Sequence, residues 1–527
     1  MTKSSGSKKI VAYAMMGILA VAAVSVALFA KSTPAVDPAE EQKIKAIRDF
    51  QSRFCGSGDP TRSTAYVSEF QLPSECQMPL AVEVDGNQVW YVSTKEGILG
   101  SYNIAEGKFE KENEIPSWPA RSSPTSFSMS WAARADGNGN IWFTDERQKA
   151  LWKFNKSDQT FEVFSVPANL PAGIDFDSDG NIYFIGVQSR SIFVGDVSKM
   201  KNGTSEGITE IAMPLEGFPG IDSKLITTGS LVVDRTNNDV WLSLLAFQQK
   251  GQLFKYDLDA GRVETIVDLP SDLASPVGMI LDASGNLWVT DHGTSIFFKY
   301  DSASGEITKF VTSIASPRIY GGTTPPNAYT LPYWIQMSPD DGALWFNQHT
   351  GNKMARFDPE ELVLTEYWIP SQNGNWAVGC LEGSTTCGLA NGLQFSSGEN
   401  GQVWFTEWTQ NKIGRVDAKK QVPISVNVPQ SVTVARGGVV EIRVEMNGSL
   451  DFAGTMMAAS TLTTTGMLGN AGGIFSEESV SISSGGSKTI SFTFSPSEAV
   501  SQGQYVIMLG AGNDDISVMK AVRVNVV

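Results

Sequence analysis

The stretch "GQVWFTEWTQNKIGRVD", residues 401–417, decides the fold because the chain contains six further copies of its plan. It consists of a tight turn, an apolar strand that carries an aromatic anchor, a second turn and a further strand. The anchors of the seven copies are Trp90, Trp142, Tyr183, Trp241, Trp288, Trp345 and Trp404. A unit of about 40–60 residues with four short strands cannot bury its apolar faces alone, so such repeats stack into a propeller. We therefore predict a seven-bladed β-propeller over residues 63–420.

Composition agrees with an all-β chain. Glycine (50 residues) and tryptophan (13) are abundant while charged residues make up only 18%, which suits many tight turns and aromatic strands. There are 40 basic and 56 acidic residues, and the formal net charge is −16. A surface with this charge repels phosphate backbones, so we expect no nucleic-acid partner.

The two ends of the repeat region predict how the ring closes and which domain comes after it. A strand at 65–73 precedes the first anchor, whereas the last copy lacks a clear fourth strand. The economical arrangement has this N-terminal strand complete the last blade, which removes open sheet edges. Residues 421–527 lose the repeat and show about seven short alternating strands, which predicts an immunoglobulin-like β-sandwich.

The N-terminal residues predict a membrane anchor. Residues 10–30 are uncharged and long enough to span a bilayer, and three lysines precede them within residues 1–9. This pattern indicates a transmembrane signal anchor with a cytoplasmic N-terminus, a single-pass cell-membrane location and an extracytoplasmic bulk. Cleavage as a signal peptide is the alternative. Residues 31–62 have the pattern of a linker followed by one short helix.

The four cysteines fit an extracytoplasmic location. Cys55 and Cys76 flank one short segment, and Cys380 and Cys387 flank another. Two local disulfides are expected in an oxidising compartment. Four unpaired buried thiols are the alternative.

Strand polarity predicts where a site would lie. The first two strands of a blade form a hairpin, so residues three and four positions after each anchor share a rim with the long loops. The only histidines, His292 and His349, occupy the same repeat position in adjacent blades, near Asp291 and Glu407. Such a set can bind a divalent metal or act as general acid and base. We predict His292, His349 and Glu407 as catalytic, with Asp291 and Glu407 as metal ligands; polar strand ends that cap turns are the alternative.

Ligand contacts are predicted at the same rim. Asp145 occupies the rim position of another blade, and Gln348 precedes His349 at the rim of the same blade. Trp334, Trp376 and Trp408 lie outside the anchor register, on the rim or its loops, and are better ligand candidates than the anchors. The anchors recur once per blade and are expected in the core between blades.

The copies "NIWFTD", "LWVTDHG" and above all "VWFTEWTQNKIGRVD" resemble the repeats of the virginiamycin B lyase family of seven-bladed, streptogramin-inactivating propellers. The resemblance covers about residues 63–420. It implies an enzyme that opens a cyclic depsipeptide ester by elimination, with Mg²⁺, a His base and rim acids. The family's rim acid follows "WFT", which corresponds to Asp145, Asp291 and Glu407.

The histidine motif of that family is absent from the matching positions. The family places its histidines in an acid-Pro-His-Gly-Ile motif, where this chain has "LPAGI" with Ala172, "SPVGM" with Val277, "LPYWI" with Tyr333 and "LANGL" with Asn391. His292 and His349 lie on the neighbouring strand instead.

Three functions stay open from the sequence. The first is a membrane-anchored surface protein whose rim holds a small cyclic ester, a glycan or a surface protein. The second is a Mg²⁺-dependent carbon–oxygen lyase, and the third a metal-dependent hydrolase of the lactonase type. The anchor, the appended sandwich and the missing motif favour the first.

Overall fold

The computed structural model describes most of the region beyond the predicted anchor. The described residues are 61–121, 127–314, 329–371 and 392–527, together with Gln42 and Lys45, which are helical. Residues 10–30 and most of the predicted short helix lie outside them. Within the described part of the chain, no helix is long and apolar enough to cross a membrane.

Seven antiparallel sheets form the repeat region, and the first strand, β1 (Val67–Gln71), belongs to the last of them. Blade I contains β2 Pro79–Asp85, β3 Gln88–Ser93, β4 Ile98–Asn103 and two short pieces, β5 Lys108–Phe109 and β6 Asn113–Glu114. Blade II contains β7 Ala133–Ala135, β8 Asn140–Asp145, β9 Ala150–Asn155 and β10 Thr160–Ser165. Blade III contains β11 Pro171–Phe176, β12 Ile182–Gly186, β13 Ser191–Gly195 and β14 Ile208–Ala212.

The remaining blades follow the same plan. Blade IV contains β15 Ile226–Asp234, β16 Asp239–Ala246, β17 Lys250–Asp257 and β18 Arg262–Asp268. Blade V contains β19 Pro276–Leu281, β20 Leu287–Asp291, β21 Ile296–Tyr300 and β22 Ile307–Val311. Blade VI contains β23 Pro332–Met337, β24 Leu344–Gln348, β25 Lys353–Asp358 and β26 Val363–Trp368. Blade VII contains β27 Gly392–Gly398, β28 Gln402–Glu407, β29 Lys412–Asp417 and β1. Two 3₁₀ turns, Ser223–Leu225 and Ser271–Leu273, lie in the loops that lead into blades IV and V.

Acidic hairpin turns fix the anchors. The carboxylate of Asp136 accepts the backbone N–H of Asn138 at 2.8 Å and the indole N–H of Trp142 at 3.1 Å. Asp282 binds the indole N–H of Trp288 in the same way, at 3.1 Å. Each turn therefore closes its hairpin and satisfies the polar atom of an otherwise buried tryptophan.

The N-terminal strand supplies the outer strand of blade VII. β1 pairs antiparallel with β29 from Val67 opposite Val416 to Gln71 opposite Lys412. A fully buried ion pair joins the two strands, because Lys412 Nζ lies 3.0 Å from Glu69 Oε2. The ring of seven sheets is therefore completed by residues that are far apart in the chain.

A second body of β structure comes after blade VII. One sheet contains β30 Ile424–Asn427, β32 Val440–Gly448, β36 Ser487–Pro496 and β34 Ala471–Phe475. The other contains β31 Ser431–Val434, β38 Ile516–Val526, β37 Gly503–Gly512, β33 Phe452–Ser460 and β35 Ser479–Ile482. The two sheets enclose a common apolar core that includes Ile442, Phe492 and Val524. The predicted all-β propeller is thus confirmed, whereas the immunoglobulin type of this β-sandwich stays a prediction.

The sandwich continues the sheet of blade VI. β38 pairs antiparallel with β26, from Lys520 opposite Val363 to Ile516 opposite Tyr367, so one nine-stranded sheet runs through both parts. Met508 and Met519 of the sandwich share an apolar cluster with Phe310 of blade V. Because this pairing covers the outer edge of blade VI, that edge is not open to other strands.

We predict that removal of β1 destabilises the whole propeller. A chain that begins after residue 73 leaves the edge of β29 open and Lys412 buried without Glu69. Loss of one partner from a buried ion pair costs about 3–5 kcal/mol, so the free energy of unfolding should fall by at least that amount. Denaturant unfolding of this chain and of a control that begins at residue 61 measures the effect. Equal stability of the two chains would contradict the account.

Candidate functional site

Polar residues two positions after the anchors lie inside the ring and join neighbouring blades. The first strands carry a β-bulge near their start, for example between Pro276 and Gly278. Thr290 Oγ1 accepts the N–H of Gly278 at 3.0 Å and donates to the carbonyl of Tyr333 in blade VI. Ser243 likewise donates to the carbonyl of Pro276 in blade V, at 3.0 Å. The "T" of the "WFT" repeat therefore holds the bulge and connects blades, rather than facing a ligand.

The two aspartates of the predicted site are occupied by their own turns. Asp291 accepts the backbone N–H of Ser275 at 2.7 Å and that of Gly293 at 3.0 Å, and its side chain is fully buried. Burial nevertheless raises the pKa of Asp291 to about 6. Asp145 accepts hydrogen bonds from Ser128 and from the backbone N–H of Gln148, and burial raises its pKa as well. Both side chains therefore stabilise a turn.

The structure brings the two histidines together. The rings of His292 and His349 are nearly parallel, with centroids 5.4 Å apart. The ring centroid of Tyr333 lies 4.6 Å from that of His292. Both imidazoles are buried at the junction of blades V and VI. Burial and the neighbouring His349 lower the pKa of His292 to about 3, and burial lowers the pKa of His349 to about 4. Both rings are therefore neutral at physiological pH, and no carboxylate of the described residues contributes to either shift.

Glu407 lies beside a buried ion pair that occurs twice in the ring. In blade VI, Lys353 Nζ lies 3.3 Å from Glu366 Oε2, and Gln348 donates to Glu366 Oε1 at 2.6 Å. In blade VII, Lys412 and Glu69 occupy the equivalent positions of the sheet. Ser313 and Ser371 complete the two sets by contacting the lysines.

The position that Gln348 occupies in blade VI is occupied by Glu407 in blade VII. It is aligned with Gln348, because each is paired with the lysine of its own blade. Its carboxyl group receives no hydrogen bond from the described residues and faces Glu69. Burial and the Glu69 carboxylate raise the pKa of Glu407 well above its usual value. A raised pKa favours the neutral carboxyl group, and a protonated Glu407 can donate a hydrogen bond to Glu69 as Gln348 does to Glu366.

The predicted ligand tryptophans differ in their surroundings. Trp408 is buried, and its indole donates to Thr94 Oγ1 at 2.9 Å, across the junction of blades VII and I. Trp334 is half-buried, lines the central channel and lies under the guanidinium of Arg134 at 5.9 Å. Trp376 lies outside the described residues. Trp334 is therefore the predicted aromatic that stays accessible from the channel.

Of the four cysteines in the two predicted pairs, Cys76 is the one that lies among the described residues. Cys76 is disulfide-bonded. Cys55, Cys380 and Cys387 lie outside the described residues, so both pairings stay predictions.

The described residues do not fit Mg²⁺ at the predicted position. Mg²⁺ prefers ionised carboxylate oxygens in octahedral geometry. Both oxygens of Asp291 accept backbone N–H groups, and burial beside Glu69 raises the pKa of Glu407, which disfavours the ionised form that Mg²⁺ requires. Over residues 61–121, 127–314, 329–371 and 392–527 there is no group of three His, Cys, Asp or Glu side chains that could hold a metal.

Residues that line the central channel were missed by the sequence reasoning. Each blade places one first-strand residue opposite its anchor. The side chains of several of these residues accept a hydrogen bond from a backbone N–H group of the next blade. Glu83 accepts the N–H of Ala135 at 3.1 Å, and Asp175 accepts the N–H of Val233 at 2.9 Å. The repeat register could have found them, because each lies seven to nine residues before an anchor.

Gln336 and Ser396 extend this pattern around the ring. Gln336 accepts the N–H of Ser397 at 2.7 Å, and Ser396 Oγ accepts the N–H of Val84 at 3.0 Å. The channel between these residues has a volume of about 310 Å³.

Glu146 was also missed as a titratable residue. Its carboxylate accepts the indole N–H of Trp131 at 3.0 Å at the rim of blade II. Burial raises the pKa of Glu146 to about 7, with a further contribution from Asp145. Like that of Asp291, its pKa therefore lies close to neutral pH, and the sequence alone offered only its rim position.

These sheets define a seven-bladed β-propeller with an appended β-sandwich. Among solved structures, the chain is similar to virginiamycin B lyase from Staphylococcus aureus, at 18% identity and a TM-score of 0.46 over 66% of this chain and 98% of that one. A catalytically inactive variant of the same enzyme with quinupristin gives 19% identity and a TM-score of 0.48 over the same shares. A putative gluconolactonase gives 14% identity and a TM-score of 0.34, over 56% of this chain and 90% of that one. The predicted resemblance is thus found, and at these identities it concerns the fold alone.

No protein-family profile and no curated protein sequence matches the chain.

Glu407 predicts a specific pH dependence of stability. Above the ordinary pKa of glutamate the unfolded chain loses this proton, whereas the folded chain keeps it up to its raised pKa. Folding therefore loses up to about 1.4 kcal/mol per pH unit across that interval. Glu407→Gln removes this term, so we expect its free energy of unfolding to fall less than that of the wild type between pH 5 and pH 8.

The converse substitution, from glutamine to glutamate, can be made at Gln348, which is aligned with Glu407. Gln348→Glu introduces a second carboxyl beside Glu366 and should add a new loss of stability with rising pH. Urea unfolding of the three proteins at both pH values measures the slopes. Identical slopes for the wild type and Glu407→Gln would show that Glu407 is ionised in the folded chain.

Proposed function

We propose that the chain is a membrane-anchored, extracytoplasmic binding protein whose propeller rim holds a ligand without breaking a bond in it. The ligand classes are those expected from the sequence: a small cyclic ester, a glycan or a surface protein. The single observation that carries the proposal is the occupation of the rim carboxylates. Asp145 and Asp291 are saturated by turn hydrogen bonds, and Glu407 faces Glu69.

The histidines support the same conclusion. An effective general base has a pKa near the working pH and reaches the proton that it removes. His292 and His349 have pKa values of about 3 and 4, and both lie inside the junction of two blades. Neutral stacked rings of this kind favour packing between blades over proton transfer at a solvent-exposed ester.

A binding role places the contacts on the channel and on the loops of the rim. Trp334 offers an aromatic surface at the channel wall, beside Arg134. The longest rim loops, 315–328 and 372–391, lie outside the described residues, so their contribution is a prediction from the sequence. The sandwich joined to blade VI is consistent with a surface protein whose propeller is displayed away from a membrane.

Calorimetry separates binding from metal-dependent catalysis. We expect the full-length chain in detergent to bind none of Mg²⁺, Ca²⁺ or Mn²⁺ at the rim. A streptogramin-type cyclic ester incubated with the chain should be recovered at its intact mass. The matched variant carries His292→Gln and His349→Gln, which preserve polarity and approximate size.

The enzymatic alternatives predict the opposite results. Metal binding that disappears in the double variant, together with ester opening that disappears with it, would replace the binding protein by a lyase or a hydrolase. Thermal melting of the variant checks that any loss is not caused by unfolding.

A further inference from the structure

A groove of about 390 Å³ lies between the outer parts of blades I and II, away from the rim and the channel. Its lining includes the anchor Trp90, the small residue Ser101 and three lysines, Lys108, Lys111 and Lys156. Three lysines in one groove are unusual for a chain with a net charge of −16. The groove results from two departures of blade I from the repeat.

The first departure is the residue opposite the anchor. In five other blades the residue paired with the anchor on the third strand is basic, and these residues are Lys153, Lys255, Lys299, Arg356 and Arg415. The Lys153 ammonium and the Arg415 guanidinium each lie 5.8 Å from the centre of their anchor ring. Blade I has Ser101 at this position, so its anchor lacks the long basic side chain that these five blades place opposite theirs, and blade III has Val194 there.

The second departure is the outer strand. The other blades have a continuous fourth strand of five to seven residues, whereas blade I has β5 and β6 of two residues each. The chain between them leaves the sheet, which opens space along β4. Together the short serine and the interrupted strand create the groove.

The anchor of this groove has an unsatisfied donor. Trp142, Trp288 and Trp404 all donate their indole N–H groups to a side-chain oxygen of their own hairpin, at 3.0–3.1 Å. Trp90 is 7% exposed, and its indole nitrogen has no hydrogen-bond partner among the described residues. The acid of its hairpin, Asp85, forms an ion pair with Lys156 instead. A buried donor without an acceptor is unfavourable. Gln88 Oε1, which corresponds to the Gln402 oxygen that accepts from Trp404, also has no hydrogen-bond partner among the described residues, so either this oxygen or a ligand oxygen would satisfy the Trp90 donor.

We propose that this groove binds an oxyanion, a sulfate, phosphate or carboxylate group, held by the indole N–H of Trp90 and the ammonium groups of the lysines. Lys111 donates to Gln159 at 2.7 Å and Lys108 pairs with Glu106 at 2.6 Å, but each ammonium has three donors and both side chains are exposed. The acid in the lining, Glu110, is engaged by Ser101 at 3.3 Å and Asn103 at 3.0 Å. The groove lining therefore carries three ammonium groups and one carboxylate, and Lys111 is the lysine whose printed partner is a neutral amide, since Lys108 and Lys156 are paired with Glu106 and Asp85 outside the lining.

Trp90→Phe tests the proposal because it keeps an aromatic ring and removes the N–H group. Calorimetric titration of the full-length chain in detergent with inorganic sulfate, inorganic phosphate and acetate, at constant ionic strength, identifies the preferred anion. We expect binding by the wild type and at least about tenfold weaker binding by Trp90→Phe, since hydrogen bonds to charged groups are strong. Lys111→Gln should weaken binding as well, which keeps the test valid if the tryptophan variant fails to fold.

Trp288→Phe is the matched control, because Asp282 satisfies its N–H group in the native chain. It should bind the anion like the wild type but melt at a lower temperature in anion-free buffer. Trp90→Phe should lose less stability there than Trp288→Phe, since both variants leave the same smaller ring in the core but only Trp288→Phe removes a paired donor.

Three results would overturn the proposal. They are the absence of anion binding by the wild type, equal anion affinity in Trp90→Phe and Lys111→Gln, and binding of tetramethylammonium in place of the anions. The last would mean that the groove accepts the cation missing opposite Trp90.

Discussion

The inner strand of each blade pairs with another strand on one side only. The rest of the ring depends on how the backbone N–H groups on its other side, which face the channel, find hydrogen-bond acceptors. A backbone N–H group that faces the channel must find an acceptor, because burial without one is costly. In four junctions the acceptor is a side chain opposite the anchor of the preceding blade: Glu83, Asp175, Gln336 or Ser396. Ring closure and backbone satisfaction are thus achieved by the same hydrogen bonds.

A second layer of contacts near the rim repeats this solution. Ser243, Thr290 and Thr406 lie two residues after their anchors and donate to carbonyls of the next blade. The residue after Thr290, Asp291, closes a turn, and the residue after Thr406, Glu407, lies beside a buried ion pair. Polar residues that look like a catalytic set are therefore explained by the requirements of the ring. The departures of blade I from the repeat are the basis of the proposed anion site.

Much of the fold could be predicted from the sequence because it is periodic. The anchors fix the number of blades, and the hairpin acids such as Asp136 and Asp282 mark the turns. The proximity of His292 and His349 also followed from their shared repeat position.

The roles of the site residues could not be predicted, because they depend on contacts between distant segments. Glu69 reaches Lys412 only when β1 joins blade VII, and Asp291 binds the N–H of Ser275 through the fold of a loop. No local pattern distinguishes a carboxylate that is filled by backbone donors from one that is open to a metal. The orphaned donor of Trp90 is likewise visible only when its hairpin acid is seen to bind Lys156.

Native-state hydrogen exchange of the full-length chain tests most directly whether side chains of neighbouring blades hold the ring. The relevant amides are those of Val84, Ala135, Val233 and Ser397, whose acceptors are side chains of the preceding blade. The account predicts that they exchange only through global unfolding, with the same protection as the ladder amides of the central strands. Exchange of these amides by local opening, while the ladders stay protected, would contradict it.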